Sequence, residues 1–128
     1  MSGLNNNRLI QDLDGGVDIT SVSTVPAAQR STVTFGARAD GSVPEGADAQ
    51  ATQVWDNLLG ILHAAGMEAR DIVKLTAYVV GAENYPAYAS ARSRVLGGHR
   101  PASTAVCVAS LLRPEWLIEV EMIAARAP

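Results

Sequence analysis

The stretch that decides the fold is RPASTAVCVASLLRPEWLIEVEMIAA, residues 100–125. Polarity alternates in both of its halves, which predicts two β-strands. Glu119 and Glu121 share one face of the second strand, and Ser103 and Cys107 share one face of the first. If the two strands pair as a hairpin, one aliphatic layer faces the core and the other layer places the glutamates opposite Ser103.

Two carboxylates on such an apolar surface need an explanation. A carboxylate without a charged partner has a raised pKa there, and it can then serve as a proton shuttle. The alternative is structural: Glu119 and Glu121 are exposed to solvent, or pair with an arginine across a subunit interface. The residues alone favour the structural alternative.

The rest of the chain supplies the other elements of the fold. β-Branched runs predict strands, a period of 3.6 residues predicts helices, and Gly and Pro mark the turns. The predicted elements are strands in RLIQDLDGG, VDITSVSTV and STVTFGA, a helix over Ala47–Ala65, a strand over 71–80, a helix from the N-cap Asn84 to Gly97-Gly98, and strands over 103–110 and 117–125.

This order, β-β-β-α-β-α-β-β, predicts one α+β domain over residues 1–128. Its two layers are a six-stranded, mainly antiparallel sheet and two helices on one face of it. The second face of the sheet is then uncovered, and its aliphatic content indicates burial against another subunit.

Composition excludes several classes of protein. The chain has 128 residues, a net charge of −3 and 48% hydrophobic residues, and its arginines are scattered. The absence of a basic stripe argues against nucleic-acid binding. We expect no membrane span, because no apolar run approaches ~18 residues. The N-terminus does not resemble a secretory signal, and the single Cys107 permits no internal disulfide, so the predicted location is the cytoplasm.

Residues 100–125 resemble the C-terminal signature of the RidA/YjgF family, also called the endoribonuclease L-PSP family. That signature runs Pro-x-Arg-Ser/Thr-x-Val-x-Val, then Val/Ile-Glu-Ile/Val-Glu-x-Ile-Ala. Upstream, EGADAQATQVWDNLLGILHAAGMEARDIVKLTAYVV is similar to the family's central segment, a helix with Gln and Asn followed by a strand. The resemblance covers about residues 30–125.

The resemblance implies a chorismate-mutase-like fold, assembled as a homotrimer with three pockets at the subunit interfaces. It also implies hydrolysis of imines and enamines, chiefly 2-iminoacids, to ketoacids and ammonia, without a cofactor or a metal. Glu119 matches the glutamate that positions or activates water in the family, Glu121 the second acid, and Pro101 the proline of the signature.

The chain departs from the family pattern inside the implied pocket. Ser103 stands where the family has the arginine that binds the substrate carboxylate. Where the family has a serine-glycine-glutamine segment, this chain has Phe35-Gly36-Ala37. Ala105 stands where the family often has a cysteine, and Ala89 stands where it commonly has an asparagine. We therefore expect a smaller, more apolar and less cationic pocket. Arg100 or Arg113 could replace the lost cation, but both are predicted to be surface or interface charges.

The other candidates favour structural roles. His63 is predicted to pack at the helix rim and His99 to lie in a loop, and two histidines with one cysteine do not make a metal site. Cys107 is predicted to be a buried structural thiol. Trp116 either packs at a subunit boundary or forms a wall of the ligand site.

Two functions follow as hypotheses, and a third is disfavoured. The first is an imine or enamine hydrolase, or an enamine-processing tailoring enzyme, in which Glu119 handles the proton. The second is a trimeric module that binds an apolar small ligand without turnover. An RNase activity, suggested by the older family name, is disfavoured because the sequence indicates neither a basic groove nor a pair of histidines.

Overall fold

A computed structural model describes residues 29–126 of the chain. The elements are β1 (Gln29–Phe35), α1 (Ala47–Ala64), β2 (Ile72–Val80), α2 (Tyr85–Leu96), β3 (Ala102–Val108) and β4 (Ile118–Ala125), with short 3-10 helices at Ala69–Asp71 and Ala82–Asn84.

The four strands form one mixed sheet in the order β1-β4-β2-β3. β4 runs antiparallel to both of its neighbours, whereas β2 and β3 are parallel and are connected through α2. The described sheet is therefore less purely antiparallel than expected. Two of the six predicted strands, RLIQDLDGG and VDITSVSTV, fall in residues 1–28, outside the described residues, so the six-stranded sheet and its full order remain predictions.

The predicted hairpin between the last two strands is wrong, because β2 lies between β3 and β4. The physical reason is burial. β2 presents Leu75, Ala77 and Val79 to the core, all at most 1% exposed. β3 is rich in small residues and is exposed along nearly its whole length. The more apolar strand takes the central position, and β3 becomes an edge of the sheet.

One hydrophobic core joins the helices to one face of the sheet. Its buried members come from both helices, from β2, from β4 and from the turn after α1: Ala51, Val54, Trp55, Leu58, Leu62, Met67, Ile72, Leu75, Ala77, Val79, Tyr88, Ala91, Ile118, Val120, Met122 and Ala124. The opposite face of the sheet carries no element within residues 29–126.

The helix ends follow local chemistry. α1 begins at Ala47 as predicted, with Asp48 in its first turn, where a negative charge suits the positive end of the helix dipole. Gly66 follows the end of α1 with a φ of +74°, the conformation that favours glycine. Asn84 precedes α2, but its side chain makes no capping bond and donates instead to the Val80 carbonyl at 2.7 Å.

Candidate functional site

The two glutamates of β4 lie on the face of the sheet that is turned away from the helices. Glu119 is opposite Phe35 on β1 and opposite Tyr78 on β2. Glu121 is opposite Val33 and Thr76 in the same way. Directly opposed residues share a face. We call the set Val33, Phe35, Thr76, Tyr78, Glu119 and Glu121 the glutamate face.

The two carboxylates have different surroundings. Glu119 is half-buried, and its pKa is raised by burial and then by the negative charge of Glu121. Glu121 is exposed and accepts a hydrogen bond from the Tyr78 hydroxyl. That hydrogen bond, together with partial burial, raises the pKa of Tyr78 to about 12. Tyr78 therefore remains a donor at neutral pH, and Glu119 is the group suited to exchange a proton.

Two aromatic rings adjoin Glu119. Trp116 stacks on Phe35, with ring centroids 3.9 Å apart and ring planes 23° apart. Phe35 is only 2% exposed, and the Trp116 ring covers one face of it. Phe35 therefore acts as a buried support for Trp116. The Arg113 guanidinium carbon lies 5.6 Å from the centre of the Trp116 ring, which places a cation at the outer side of this stack.

The segment Phe35-Gly36-Ala37 turns sharply at the end of β1. The Ala37 N–H donates back to the Phe35 carbonyl at 2.9 Å, which closes a three-residue turn. A Cβ on Gly36 would lie 2.8 Å from the Gln50 carbonyl oxygen of α1. Glycine is therefore required here for the close approach of strand and helix, and this contact holds Phe35 in place.

Sequence reasoning noted a Gln and an Asn in α1 but gave them no role, and the structure supplies one. Gln50 is 2% exposed; its amide nitrogen donates to the Pro44 and Glu115 carbonyls at 3.1 and 2.8 Å, and its oxygen accepts from the Leu117 N–H at 2.9 Å. Asn57 donates to the Phe35 and Ala37 carbonyls at 3.0 and 2.9 Å. These two amides fix the backbone on both sides of the Phe35–Trp116 stack.

Ser103, Ala105 and Cys107 do not face the glutamates, contrary to expectation. In the parallel pairing with β2 they are opposite Leu75, Ala77 and Val79, whose side chains point to the helix layer. The alternation of polarity correctly predicted which residues of each strand share a face. The assumed hairpin, however, predicted the wrong side of the sheet for Ser103, Ala105 and Cys107. Cys107 is also exposed at the sheet edge, whereas a buried thiol was expected.

An open cleft of about 380 Å³ lies along the edge strand β3. Its lining is mostly apolar and consists of Val79, Ala82, Tyr85, Ala105, Val106 and Cys107. We call it the edge cleft. Glu119 does not line this cleft, so the expected small, apolar pocket around Glu119 remains a prediction.

The remaining candidates have structural contacts or none. His99 Nε2 donates to the Ile72 carbonyl at 2.7 Å, and Arg100 bonds to the nearby Gly97 and His99 carbonyls. His63 is exposed in the last turn of α1, and Ala89 is half-buried on α2. Within residues 29–126, no cluster of His, Cys, Asp and Glu could hold a metal ion. Neither helix of this region is long and apolar enough to cross a membrane.

Comparison with known proteins gives a consistent set of similarities. The family model described as Endoribonuclease L-PSP matches residues 30–126. A RutC family protein of Pyrococcus horikoshii is 36% identical over 75 residues, which are 59% of this chain and 59% of that protein. The chain therefore aligns with less than two thirds of that relative.

Solved structures resemble the whole described region. A putative endoribonuclease from Thermotoga maritima has a TM-score of 0.77 at 28% identity, over 84% of this chain and 85% of that one. RidA from an Antarctic Psychrobacter has a TM-score of 0.78 at 26% identity, over 87% and 91% of the two chains.

Proposed function

This chain belongs to the endoribonuclease L-PSP family, which includes the RidA/YjgF proteins, and we propose that it hydrolyses small-molecule imines or enamines. The observation that carries the proposal is Glu119. It is a half-buried carboxylate with a raised pKa, on a sheet face that also holds an anionic partner and a phenol donor. Such a group is suited to take up and return one proton.

The reaction needs one proton carrier and one water molecule. Glu119 takes a proton from the water as its oxygen attacks the carbon of the C=N bond, and the electron pair of that bond moves to nitrogen. Glu119 then returns this proton to the nitrogen, which gives a carbinolamine. Glu119 next carries the hydroxyl proton to the nitrogen as the C–N bond breaks, the O–H electron pair completes the C=O bond, and ammonia and a carbonyl compound leave. An enamine enters the same path once its carbon has been protonated to give the imine.

A second copy of the chain would complete the site. No residue of the glutamate face lines the edge cleft, so we infer that a single chain does not hold both against one ligand. We propose a homotrimer in which the glutamate face of one subunit meets the edge cleft of the next. The site then combines Glu119 and Trp116 from one subunit with Ser103, Ala105 and Cys107 from its neighbour, and the small molecule binds between them.

The test is a coupled assay for imine hydrolysis. An amino-acid oxidase generates imines from a panel of amino acids, and semicarbazide traps whatever remains unhydrolysed. We expect Glu119→Gln to reduce the rate by roughly 100-fold or more, the size typical of a general acid–base group. Glu45→Gln is the matched control, because Glu45 is exposed in the loop before α1. Light scattering verifies that each variant keeps the assembly of the wild type.

A wild type that hydrolyses none of the imines, or a Glu119→Gln variant as fast as the wild type, contradicts the proposal. The first of these results favours the second function, a trimeric module that binds a small ligand without turnover. The largely apolar lining of the edge cleft supports that alternative. It predicts thermal stabilisation by apolar small molecules that does not depend on Glu119.

A further inference from the structure

The Tyr78 phenol contacts one glutamate of the glutamate face and is opposite the other. Tyr78 pairs with Glu119 in the antiparallel register of β2 with β4, and its hydroxyl reaches diagonally to the Glu121 carboxylate. Side chains at opposed and diagonal positions of an antiparallel pair lie within reach of one another on one face. Tyr78 therefore links the surroundings of Glu119 to the charge of Glu121.

The hydrogen-bonding capacity of this phenol is used only in part. A tyrosine hydroxyl has one proton and can also accept hydrogen bonds. Its proton is donated to the Glu121 carboxylate, and the pKa of Tyr78, raised to about 12, keeps that proton on the phenol at neutral pH. The phenol oxygen is therefore available to a further group only as an acceptor. The negative charge of Glu121 polarises the O–H bond and strengthens this acceptor.

The Glu119 carboxylate receives no hydrogen bond from a protein group. Within the described part of the chain, no side chain or backbone N–H donates to it, and it joins no ion pair. Lys74, which shares this sheet face, donates to the Thr104 hydroxyl at 3.3 Å, and Arg113 lies over the Trp116 ring. A half-buried carboxylate without a protein donor is hydrogen-bonded by water.

We infer that Tyr78 and Glu119 together hold the attacking water molecule, which gives Tyr78 a catalytic role in the proposed reaction. Both side chains act as acceptors, so the water donates one of its protons to each. Its lone pairs are then free to point to the substrate carbon. As Glu119 removes one proton, the O–C bond forms, and the bond to Tyr78 keeps the second proton on oxygen as the carbinolamine hydroxyl. The inference rests on the proposed function and names a further residue for its first step.

The test compares Tyr78→Phe with the wild type in the coupled assay for imine hydrolysis, at a pH above the acid limb. We expect kcat to fall roughly 10-fold, about the size of one lost hydrogen bond in the transition state. KM should change by less than about twofold, because the phenol contacts water rather than substrate. Thr104→Val is the matched control, since it removes a hydroxyl of the same sheet face that bonds to Lys74 instead. Its kcat should equal that of the wild type.

A double-mutant cycle with Glu121 separates this role from a structural one. Glu121→Gln keeps an acceptor for the phenol but removes the charge. At the same pH it should lower kcat roughly threefold in the wild type and have no effect in Tyr78→Phe. Light scattering and thermal unfolding verify that each variant keeps the assembly and the fold of the wild type.

The inference is overturned if Tyr78→Phe keeps the wild-type kcat, if Thr104→Val loses as much, or if KM rises as far as kcat falls. It is also overturned if Tyr78→Phe and Glu121→Gln act independently. In all of these cases the wild type still hydrolyses imines, so the proposed function stands. A wild type that hydrolyses no imine refutes the proposed function and this inference with it.

Discussion

Glu119 and Glu121 stand two residues apart on one strand face, yet their neighbours give them different tasks. Glu119 is half-buried opposite Phe35, whose ring stacks on Trp116, whereas Glu121 remains exposed and accepts a hydrogen bond from the Tyr78 hydroxyl. The negative charge of Glu121 adds to burial in raising the pKa of Glu119. In the proposed reaction, Glu119 is the group that exchanges a proton, and Glu121 accepts the Tyr78 hydrogen bond beside it.

The acid limb of the pH–rate profile should depend on the interaction between Glu119 and Glu121. Glu119 must be ionised to accept a proton from water, so the rate rises with pH through its raised pKa. Glu121→Gln removes a negative charge and should lower the pKa of Glu119, which moves the acid limb to lower pH. Burial remains, so the limb stays above the position of an ordinary glutamate.

The measurement is kcat/KM against pH for the wild type and Glu121→Gln. An unchanged profile would mean that the two carboxylates do not interact. Glu115→Gln is the comparison, because Glu115 is exposed and precedes β4.

At the scale of elements, α1 fixes the site through its amide side chains. Gln50 ties the segment before β4 to the loop before α1, and Asn57 holds the end of β1. Gly36 allows β1 to approach the backbone of α1. One helix therefore sets the separation between Phe35 and Trp116.

Gln50→Leu should lower the free energy of unfolding by about 2–4 kcal/mol, because it leaves buried backbone groups without their partners. It should also loosen Trp116 and shift its fluorescence, best recorded in a Trp55→Phe background. Gln53→Leu is the control, since Gln53 makes a single side-chain bond to Asn57. We expect it to cost less than about 1 kcal/mol in denaturant titrations. Equal losses in the two variants would refute a special role for Gln50.

The elements themselves could be predicted from the sequence, and their pairing could not. The apolar period and Gly66 predicted a helix over Ala47–Ala65, and the structure ends it at Ala64. Alternation showed that Ser103 and Cys107 share a strand face, but alternation carries no information on which strand lies alongside. The parallel pairing of β3 with β2 decides to which side of the sheet Ser103 and Cys107 point. That pairing depends on tertiary packing, which the pattern within one strand does not encode.

The site was predictable to a similar degree. Glu119 was identified through the resemblance, and its raised pKa agrees with the expected behaviour of a carboxylate among apolar groups. The hydrogen bond from Tyr78 to Glu121 was not foreseen. It joins two elements that are distant in sequence, β2 and β4, and no spacing within either element encodes the contact.

For the molecule as a whole, the dominant feature is the sheet face that no element within residues 29–126 covers. Val106 is 42% exposed and is opposite Tyr78 on that face, and Val73 is 48% exposed at the irregularity in β2. Apolar side chains on an open face beside a free strand edge favour association with further copies.

The proposed homotrimer should therefore be sensitive to a charge at Val106. Val106→Lys places an ammonium group where the neighbouring subunit is expected, and burying it unpaired is costly. We expect analytical ultracentrifugation to show a trimer for the wild type and dissociation for this variant at micromolar concentration. Ala64→Lys, on the exposed side of α1, should remain trimeric. A monomeric wild type, or a trimeric Val106→Lys, would refute this arrangement.

The pairing of β1 with β4 also has a consequence for the order of folding. Phe35 pairs with Glu119, 84 residues further along the chain, whereas β2, α2 and β3 follow one another directly. Closing the longer loop costs more entropy, so we expect the β2–α2–β3 unit to be structured first. The half of the proposed site that holds Ser103 would then form before the half that holds Glu119. φ-values close to 1 at Ala91 and well below 1 at Val33 would support this order, and the opposite pattern would exclude it.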